Sequence, residues 1–479
     1  MAQSTDRNVI EIVVDRNLCV GCGTCAGVCP AKCLRIEFNR FGEYAPTEIK
    51  GCAHCGVCLR VCPFVDENRN EDEIGREVFG GIPGIGHSPE CGYHLGGFAG
   101  CSEVGDHRAR GASGGLATWM LETLLTRGIV DKVIAVRPNS DPDKLFEYAV
   151  IGGVEELRGC AGSAYYPVEM SGVLEHVIEN EGRYAVIGLP CFIKALRLAS
   201  AANPKLRERL VFHAGLVCEM LHSRFFAEYM VTVAGGDPKS VRSVSFRAKD
   251  PNLSARDAVF TYRTDPGSVE PDGSTLLGRV CGQVGGGAKW LFRLNSCNYC
   301  DDIFAEGADA VFMDAWLPEY EADPRGTSLA LARSPLAADL IRSGMKNKEL
   351  AVGEISIEKL ISSQRPVLRM KREDLALRLY LARNGGGEIP KKRVEPAADP
   401  ASGEVRAQRR MMSFQREGRQ AWAKTRGKGI DAFYREMPSF RAGLRHEKFL
   451  AVKGRVLGGV MKRASRGLAL LRGSKRRAV

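Results

Sequence analysis

The sequence predicts an α/β fold with a small cysteine-rich α+β module in front of it and a basic extension behind. Three observations lead there. Two cysteine runs stand 33 residues apart in register, Cys19 against Cys52; short apolar runs alternate with helical patterns from about residue 95; and after Arg383 the composition shifts to Pro, Gly and charge. At 479 residues, 44% hydrophobic and 26% charged, the chain has the material for two or three cores. It has no run of about eighteen apolar residues, and its start lacks the basic region, apolar core and cleavage site of an export signal, so a cytoplasmic protein is expected.

That compartment makes the 17 cysteines informative, because structural disulfides are rare there. The first run reads C-x2-C-x2-C-x3-C-P from Cys19, Cys22, Cys25 and Cys29, and the second repeats it from Cys52, Cys55, Cys58 and Cys62. This is the ligand run of a two-cluster bacterial ferredoxin, in which three thiolates serve one [4Fe-4S] cubane and the fourth reaches across to the other. Cys62 therefore completes the first cluster with Cys19, Cys22 and Cys25, and Cys29 completes the second with Cys52, Cys55 and Cys58. Gly21, Gly23, Ala26 and Gly27, then Gly51, Ala53 and Gly56, let the backbone wrap closely, and Pro30 and Pro63 stop each helical turn. Zinc has no tetrahedral use for the third and fourth cysteines of each run. Cys33, four residues past Cys29, reads as a small buried hydrophobe.

Residues 1–68 form this ferredoxin-type module. The stretch FVDENRNEDEIGREVFGGIPGIG is acidic, then glycine-rich, with no apolar period, and reads as a linker over 69–92. Beyond it DKVIAV, RYAVIGL and RLVFHAGLV read as strands, GLATWMLETLLTRG and FIKALRLASAA as helices, and TSLALAR followed by SPLAADLIRSG as a further unit. This α/β part covers 93–388. GASGG at 111–115 fits G-x-S-x-G, yet CSEVGDHRARG ahead of it is not the buried strand that a hydrolase elbow needs. Ser113, Gly114 and Gly115 instead open a helix whose free N–H groups suit a phosphate, with Ser113 placed to cap and Arg108 and Arg110 to add charge; an ordinary capped helix reads as well. GGGAK at 285–289 lacks P-loop spacing and reads as a loop.

Cys191 in YAVIGLPC and Cys218 in HAGLVC follow predicted strands, and Cys297 and Cys300 form a C-x2-C. Strand ends of an α/β sheet face a common crevice, so these four cysteines can converge there; packing explains them equally well from spacing alone. Cys91, Cys101, Cys160 and Cys281 are assigned to packing. From Lys391 to Val479 there are 24 Lys+Arg against 7 Asp+Glu, a net of +17, which leaves −6 for residues 1–390. The basic tail, 389–479, reads as partly helical or disordered. WAKTRGKGIDAFYREM and GRVLGGVMKRASRGLALLRGSKRR suit short basic helices on an anionic membrane surface or an acidic protein, or a solvating extension, and no nucleic-acid fold accompanies the charge.

Together these segments resemble the family of coenzyme F420 hydrogenase and dehydrogenase beta subunits, with a ferredoxin module fused in front. The resemblance runs over roughly residues 15–385 and rests on the ordered set of ferredoxin runs, RGASGGLATWML, GSAYYPVEMSGVL, YAVIGLPCFIKALR, HAGLVCEM, VSFRAKD and CNYCDDIFAEGADAVFMDAW. It implies non-covalent FAD, a third [4Fe-4S] cluster on Cys191, Cys218, Cys297 and Cys300, and a flavin phosphate site at Ser113, Gly114 and Gly115. It also divides the α/β part into 93–180 and 181–388 and places Ser163, Tyr165, Asp309 and Asp314 along the same crevice. Phe192 and Met313 depart from the family pattern and enlarge apolar bulk near the centre, which leaves the electron partner open. The function implied is an iron–sulfur flavoprotein oxidoreductase passing electrons between a ferredoxin-like or other redox protein and a hydride-type substrate such as coenzyme F420. Its alternatives are an electron-transfer subunit of a larger complex and a ferredoxin-dependent reductase linked to polysaccharide biosynthesis. No acid–base residue is assigned; His213, His222 and Glu219 near Cys218 read first as core side chains.

Overall fold

A computed structural model describes residues 7–265, 273–276, 288–397 and 403–438. Cys281, most of the GGGAK loop and the basic segment 454–477 lie outside the described residues. The front module follows its glycines. The helical turns Thr24–Gly27 and Val57–Arg60 each start from a left-handed glycine, Gly23 at φ 78° and Gly56 at φ 68°. Between them Leu34–Phe38 pairs antiparallel with Tyr44–Glu48, Ile36 opposite Pro46. The module is packed into the rest of the chain. A Cβ on Gly27 would lie 2.7 Å from the Ser171 carbonyl oxygen, and the Met170 N–H donates to the Cys22 carbonyl at 2.9 Å.

The stretch expected as a linker over 69–92 is a correction. Asn70 caps a helix over Glu71–Phe79, Glu73 closes the capping box, and Ile74 and Phe79 are buried. Ile74, Val78 and Phe79 stand at helical spacing among charged residues, a short period that the acidic and glycine-rich surroundings obscured. A short hairpin of Gly86–Ser88 with Gly92–His94 follows.

The central sheet has eight strands: β1 (Gly96–Ser102), β2 (Lys132–Pro138), β3 (Phe146–Ile151), β4 (Tyr184–Gly188), β5 (Leu210–Leu216), β6 (Ala310–Asp314), β7 (Ser328–Ala332) and β8 (Leu350–Ile355), in the order β8-β1-β7-β6-β5-β4-β2-β3. β6, β5, β4 and β2 run parallel, and antiparallel strands close both sides. The protein is therefore α/β with a mixed sheet. Alternate residues feed opposite layers: Ala185, Phe212, Ala214 and Phe312 pack with the helices Leu116–Thr126 and Pro335–Lys346, whereas Tyr184, Val186 and Val311 pack with Pro190–Ala202. The carboxyl ends of β2, β4, β5 and β6 open toward one crevice. A smaller sheet of Ser243–Ala248, Val259–Arg263 and Gly273–Leu276 stands beside it.

In its described part the extension from 389 is helical and, instead of standing off as a solvating tail, is built into the fold. The helix Gly403–Thr425 and the turn Ile430–Arg435 bring Trp422 and Phe433 against Phe292, with ring centroids 5.7 and 6.0 Å away. Gly418 is required there, since a Cβ would lie 3.1 Å from the Leu291 Cβ and 2.6 Å from its Cδ2. Among the described residues no helix is long and apolar enough to cross a membrane.

Candidate functional site

Three sets of cysteines occupy the side of the molecule where these pieces meet. In the first, burial and then the neighbouring Cys22, Cys19, Cys62 and Cys58 hold the Cys25 thiol well above its ordinary value. Burial pushes Cys19 up to about 12, against a Gly21 N–H that donates to its Sγ at 3.3 Å. Cys62 is likewise raised by burial, with Cys22 and Cys19 adding to it. The two halves of the module thus bring Cys62 to Cys19, Cys22 and Cys25.

Cys29, Cys52, Cys55 and Cys58 line a second, small cavity, and the His54 N–H donates to Cys52 Sγ at 3.4 Å. Cys55 is exposed, so this set reaches the surface. Cys33 is buried as a packing residue would be, yet its Sγ lies 3.5 Å from Cys29 Sγ and it lines the same cavity. Its reading as a small buried hydrophobe holds, and the Cys29 contact is an addition to it. The spacing did not reveal this contact, because the turn after Pro30 folds the chain back toward Cys29.

The third set comes from separate strand ends. Cys191 starts the helix after β4, Cys218 follows β5, and Cys297 lies within the helical turn Asn295–Tyr299, which Cys300 ends. Burial raises Cys191 well above its usual range, followed by Cys300, Cys218 and Cys297, and then by Cys22 of the first set. Cys218 is pushed up to about 12 by burial, against the pull of Lys371. The Leu221 N–H donates to Cys297 Sγ at 3.2 Å, and Lys371 Nζ lies 3.3 Å from Cys300 Sγ.

Among the described residues no three Cys, His, Asp or Glu side chains close on a single metal ion. The donor sets suit something else. Four neighbouring buried thiols oppose one another's ionisation, and only added positive charge at their centre lets all four become thiolates; iron in a cubane supplies it. The donors fit the clusters that the spacing implies.

Beside the third set lies a cavity of about 780 Å³, lined by Ser113, Gly115, Tyr165, Cys218, Asp314 and Trp316 among others. A volume of that order houses a large organic ligand. Arg247 enters from the smaller sheet, donates to Asp314 at 2.7 Å, and lies 5.5 Å from the Trp316 ring. Met313, Ser163, Glu219 and His222 also line it. Asp309 does not: it accepts from Arg197 at 3.0 Å and from the His213 N–H at 2.9 Å, in the sheet interior. Phe192 is packed 6.0 Å from the Tyr148 ring and lies outside the cavity wall.

The glycine–serine turn differs from expectation in its donors. Gly115, at φ 81°, is the N-cap of the helix Leu116–Thr126; Ser113 does not cap and donates to the Thr327 carbonyl at 2.5 Å. The Gly114 N–H is taken by Ser328 Oγ at 2.8 Å, and a Gly114 Cβ would lie 2.4 Å from the Gly100 oxygen. The cause is β7, whose start runs alongside the turn. Gly115 and the helix start still face the cavity. Arg108 is committed to Gly326 and Asp323, and Arg110 to Asp106, so neither serves the turn. Lys249 does, clamping the Ser113 carbonyl at 2.7 Å and the Arg325 carbonyl at 2.6 Å. Burial, then Arg108 and Arg247, bring its ammonium down to about 8.

Sequence reasoning passed over Lys249, Arg247, Arg293, whose buried guanidinium donates to the Cys297 carbonyl, and Lys371. For the last a signal existed: Leu368, Lys371, Leu375 and Arg378 share one face of the helix Arg365–Asn384, and the two cations sit within that buried apolar row.

Residues 98–175 match the N-terminal model, and residues 181–358 the C-terminal model, of the coenzyme F420 hydrogenase/dehydrogenase beta subunit; residues 12–35 match a 4Fe-4S binding domain. The chain is 22% identical over 220 residues to one of the subunits of the F(420)H(2) dehydrogenase of Methanosarcina mazei, a match covering 44% of this chain and 55%, about half, of that protein. It is also similar, at 17% identity and a TM-score of 0.47, to a chain of the F420-reducing [NiFe] hydrogenase complex from Methanosarcina barkeri, over 62% of this chain and 95% of that one.

Proposed function

The chain belongs to the family of coenzyme F420 hydrogenase/dehydrogenase beta subunits, and we propose that it is an iron–sulfur flavoprotein oxidoreductase working between a one-electron carrier of the ferredoxin type and a hydride-type substrate. Cys19, Cys22, Cys25 and Cys62 would hold one [4Fe-4S] cluster, Cys29, Cys52, Cys55 and Cys58 a second, and Cys191, Cys218, Cys297 and Cys300 a third. FAD would occupy the cavity, with its phosphates at Gly115 and the helix start beyond Ser113 and Gly114. Such clusters exchange single electrons while a flavin handles a hydride, so the groups together supply conversion between one- and two-electron chemistry.

One observation carries the reading: the cysteine sets are continuous. Cys55 is exposed at one end, Cys58 of the second set helps to raise Cys25 of the first, Cys22 of the first helps to raise Cys191 of the third, and Cys218 stands in the cavity wall at the other end. Tyr165, Met313 and Trp316 give that wall apolar surface, and Arg247 is fixed against Asp314 at 2.7 Å. The relative from Methanosarcina mazei is named for reduced coenzyme F420, and coenzyme F420 is the substrate we propose.

Anaerobic purification with iron, sulfide and flavin analysis tests this. About twelve irons per chain are expected from three cubanes, with one FAD, and reduced coenzyme F420 should bleach the flavin. Colourless protein without flavin would end the oxidoreductase reading. That relative is also named as one of several subunits, which favours a second reading, in which the chain transfers electrons while docked to a catalytic partner. Turnover by the isolated chain would exclude it.

A further inference from the structure

We propose that Lys371 sets the reduction potential of the third centre, lifting it above what four thiolates in that site would give alone. The inference rests on the reading of Cys191, Cys218, Cys297 and Cys300 as ligands. Lys371 Nζ lies 3.3 Å from Cys300 Sγ and donates to the Asp302 carbonyl at 2.7 Å, with the residue 1% exposed. Its helix is tied to the cysteine loop at a second point, where Arg378, two turns on, donates to the Asn298 carbonyl at 2.9 Å. The ammonium is therefore fixed in place.

The other sites lack such a group. Cys19 and Cys52 receive neutral backbone N–H groups, from Gly21 at 3.3 Å and His54 at 3.4 Å, as Cys297 does from Leu221. Among the described residues of the three sets, Lys371 is the ammonium within hydrogen-bond reach of a ligand sulfur, and the buried Arg293 guanidinium, which donates to the Cys297 carbonyl, adds a second cation at the same centre. Of the nearby carboxylates, Glu306 and Asp301 are held by Arg393 at 2.8 and 3.4 Å, while the buried Asp302 carboxyl, which accepts from the Glu306 N–H at 3.1 Å, faces Lys371 and offsets part of its charge.

Reduction by the one-electron carrier adds one negative charge at the centre and moves no proton. A cation held against the ligand sulfur in a water-poor interior stabilises that added charge, and hydrogen bonds to cluster sulfurs act in the same direction. Lys371 thus draws the electron to the centre beside the cavity and away from the two in the front module.

The test is a redox titration followed by paramagnetic resonance on the anaerobically purified full chain and its Lys371→Met, Lys371→Gln and Lys371→Arg variants. In the Met variant iron content should be unchanged. At fixed potential its ratio of reduced to oxidised third centre should fall at least about tenfold, or ~59 mV for one electron. Gln should fall between, Arg should stay close to the parent, and the front-module signals should not move. Met and Gln variants that keep their iron and titrate with the parent would overturn the proposal. Should the Met variant lose iron, Gln and Arg decide it, since equal potentials for the two refute a role for the charge. A parent chain with only about eight irons overturns the ligand assignment itself and the inference with it.

Discussion

Thiols raised by burial, as Cys25, Cys62 and Cys191 are, keep their protons until a cation replaces them, so loss of one such ligand has a measurable consequence. Cys62→Ser should remove the irons of the first set while leaving the second, because Cys62 lies with Cys19, Cys22 and Cys25 although its run belongs to the other half. Iron analysis of Cys62→Ser and Cys191→Ser should each give a loss of about four irons. The same reasoning about burial gives a pH dependence at His213. Desolvation, then Arg197, depress this imidazole to about 4, although Asp309 pulls the other way. The unfolded chain, titrating near the ordinary value of about 6.5, then binds the extra proton first. Stability is complete above that value and is lost as pH falls toward 4, by on the order of 2 kcal/mol at pH 5. His213→Gln should flatten the fall in melting temperature between pH 7 and 5 relative to the parent; parallel curves would refute it. The cysteines were legible because their spacing is a code for the cubane, whereas Lys371 and Arg393 were not. Charged side chains default to solvent, and only the fold shows which of them meet a buried counter-charge.

At the scale of elements, the sheet was legible wherever a strand carried a continuous apolar run. DKVIAV, RYAVIGL and RLVFHAGLV became β2, β4 and β5, and TSLALAR became β7, because parallel and flanked strands bury both faces. Elements that are held by caps or by partners were misread. Glu71–Phe79 depends on the Asn70 side chain and its box with Glu73. Asn70→Ala should cost about 1 kcal/mol, read as a lower denaturation midpoint. The helix Gly403–Thr425 is rich in Arg and Gln, and its anchor is one aromatic cluster. Trp422 packs 5.7 Å from both Tyr229 and Phe292, and its Nε1–H donates to Glu228 at 2.9 Å. Trp422→Ala should therefore destabilise by roughly 3–5 kcal/mol, as a core position does and a solvated tail does not.

The whole molecule joins its front module, central sheet and C-terminal extension around one acidic cluster, and that junction carries the strongest prediction. Arg393, from the stretch read as the start of a tail, pairs with Asp72 at 2.7 Å and Glu306 at 2.8 Å, and its backbone N–H donates to Asp301 at 3.1 Å. Lys194, on the helix that Cys191 opens, meets Glu71 at 3.2 Å in the same cluster. Farther along, Gln415 accepts from Asn298, within the C-x2-C, at 2.9 Å and donates to the Arg293 carbonyl at 2.7 Å. Removing one partner of a buried charge cluster leaves the others uncompensated, at about 3–5 kcal/mol. Here the uncompensated carboxylates would lie beside Cys300. A chain ended at residue 388 should therefore lose the third set's irons, falling from about twelve to about eight, while the front module keeps its resonance signals. Arg393→Met in the full chain should weaken iron retention in the same direction without touching the first two sets. A shortened chain that retains all its iron and its flavin would show that the extension is an appendage and that the cysteine loop stands without it.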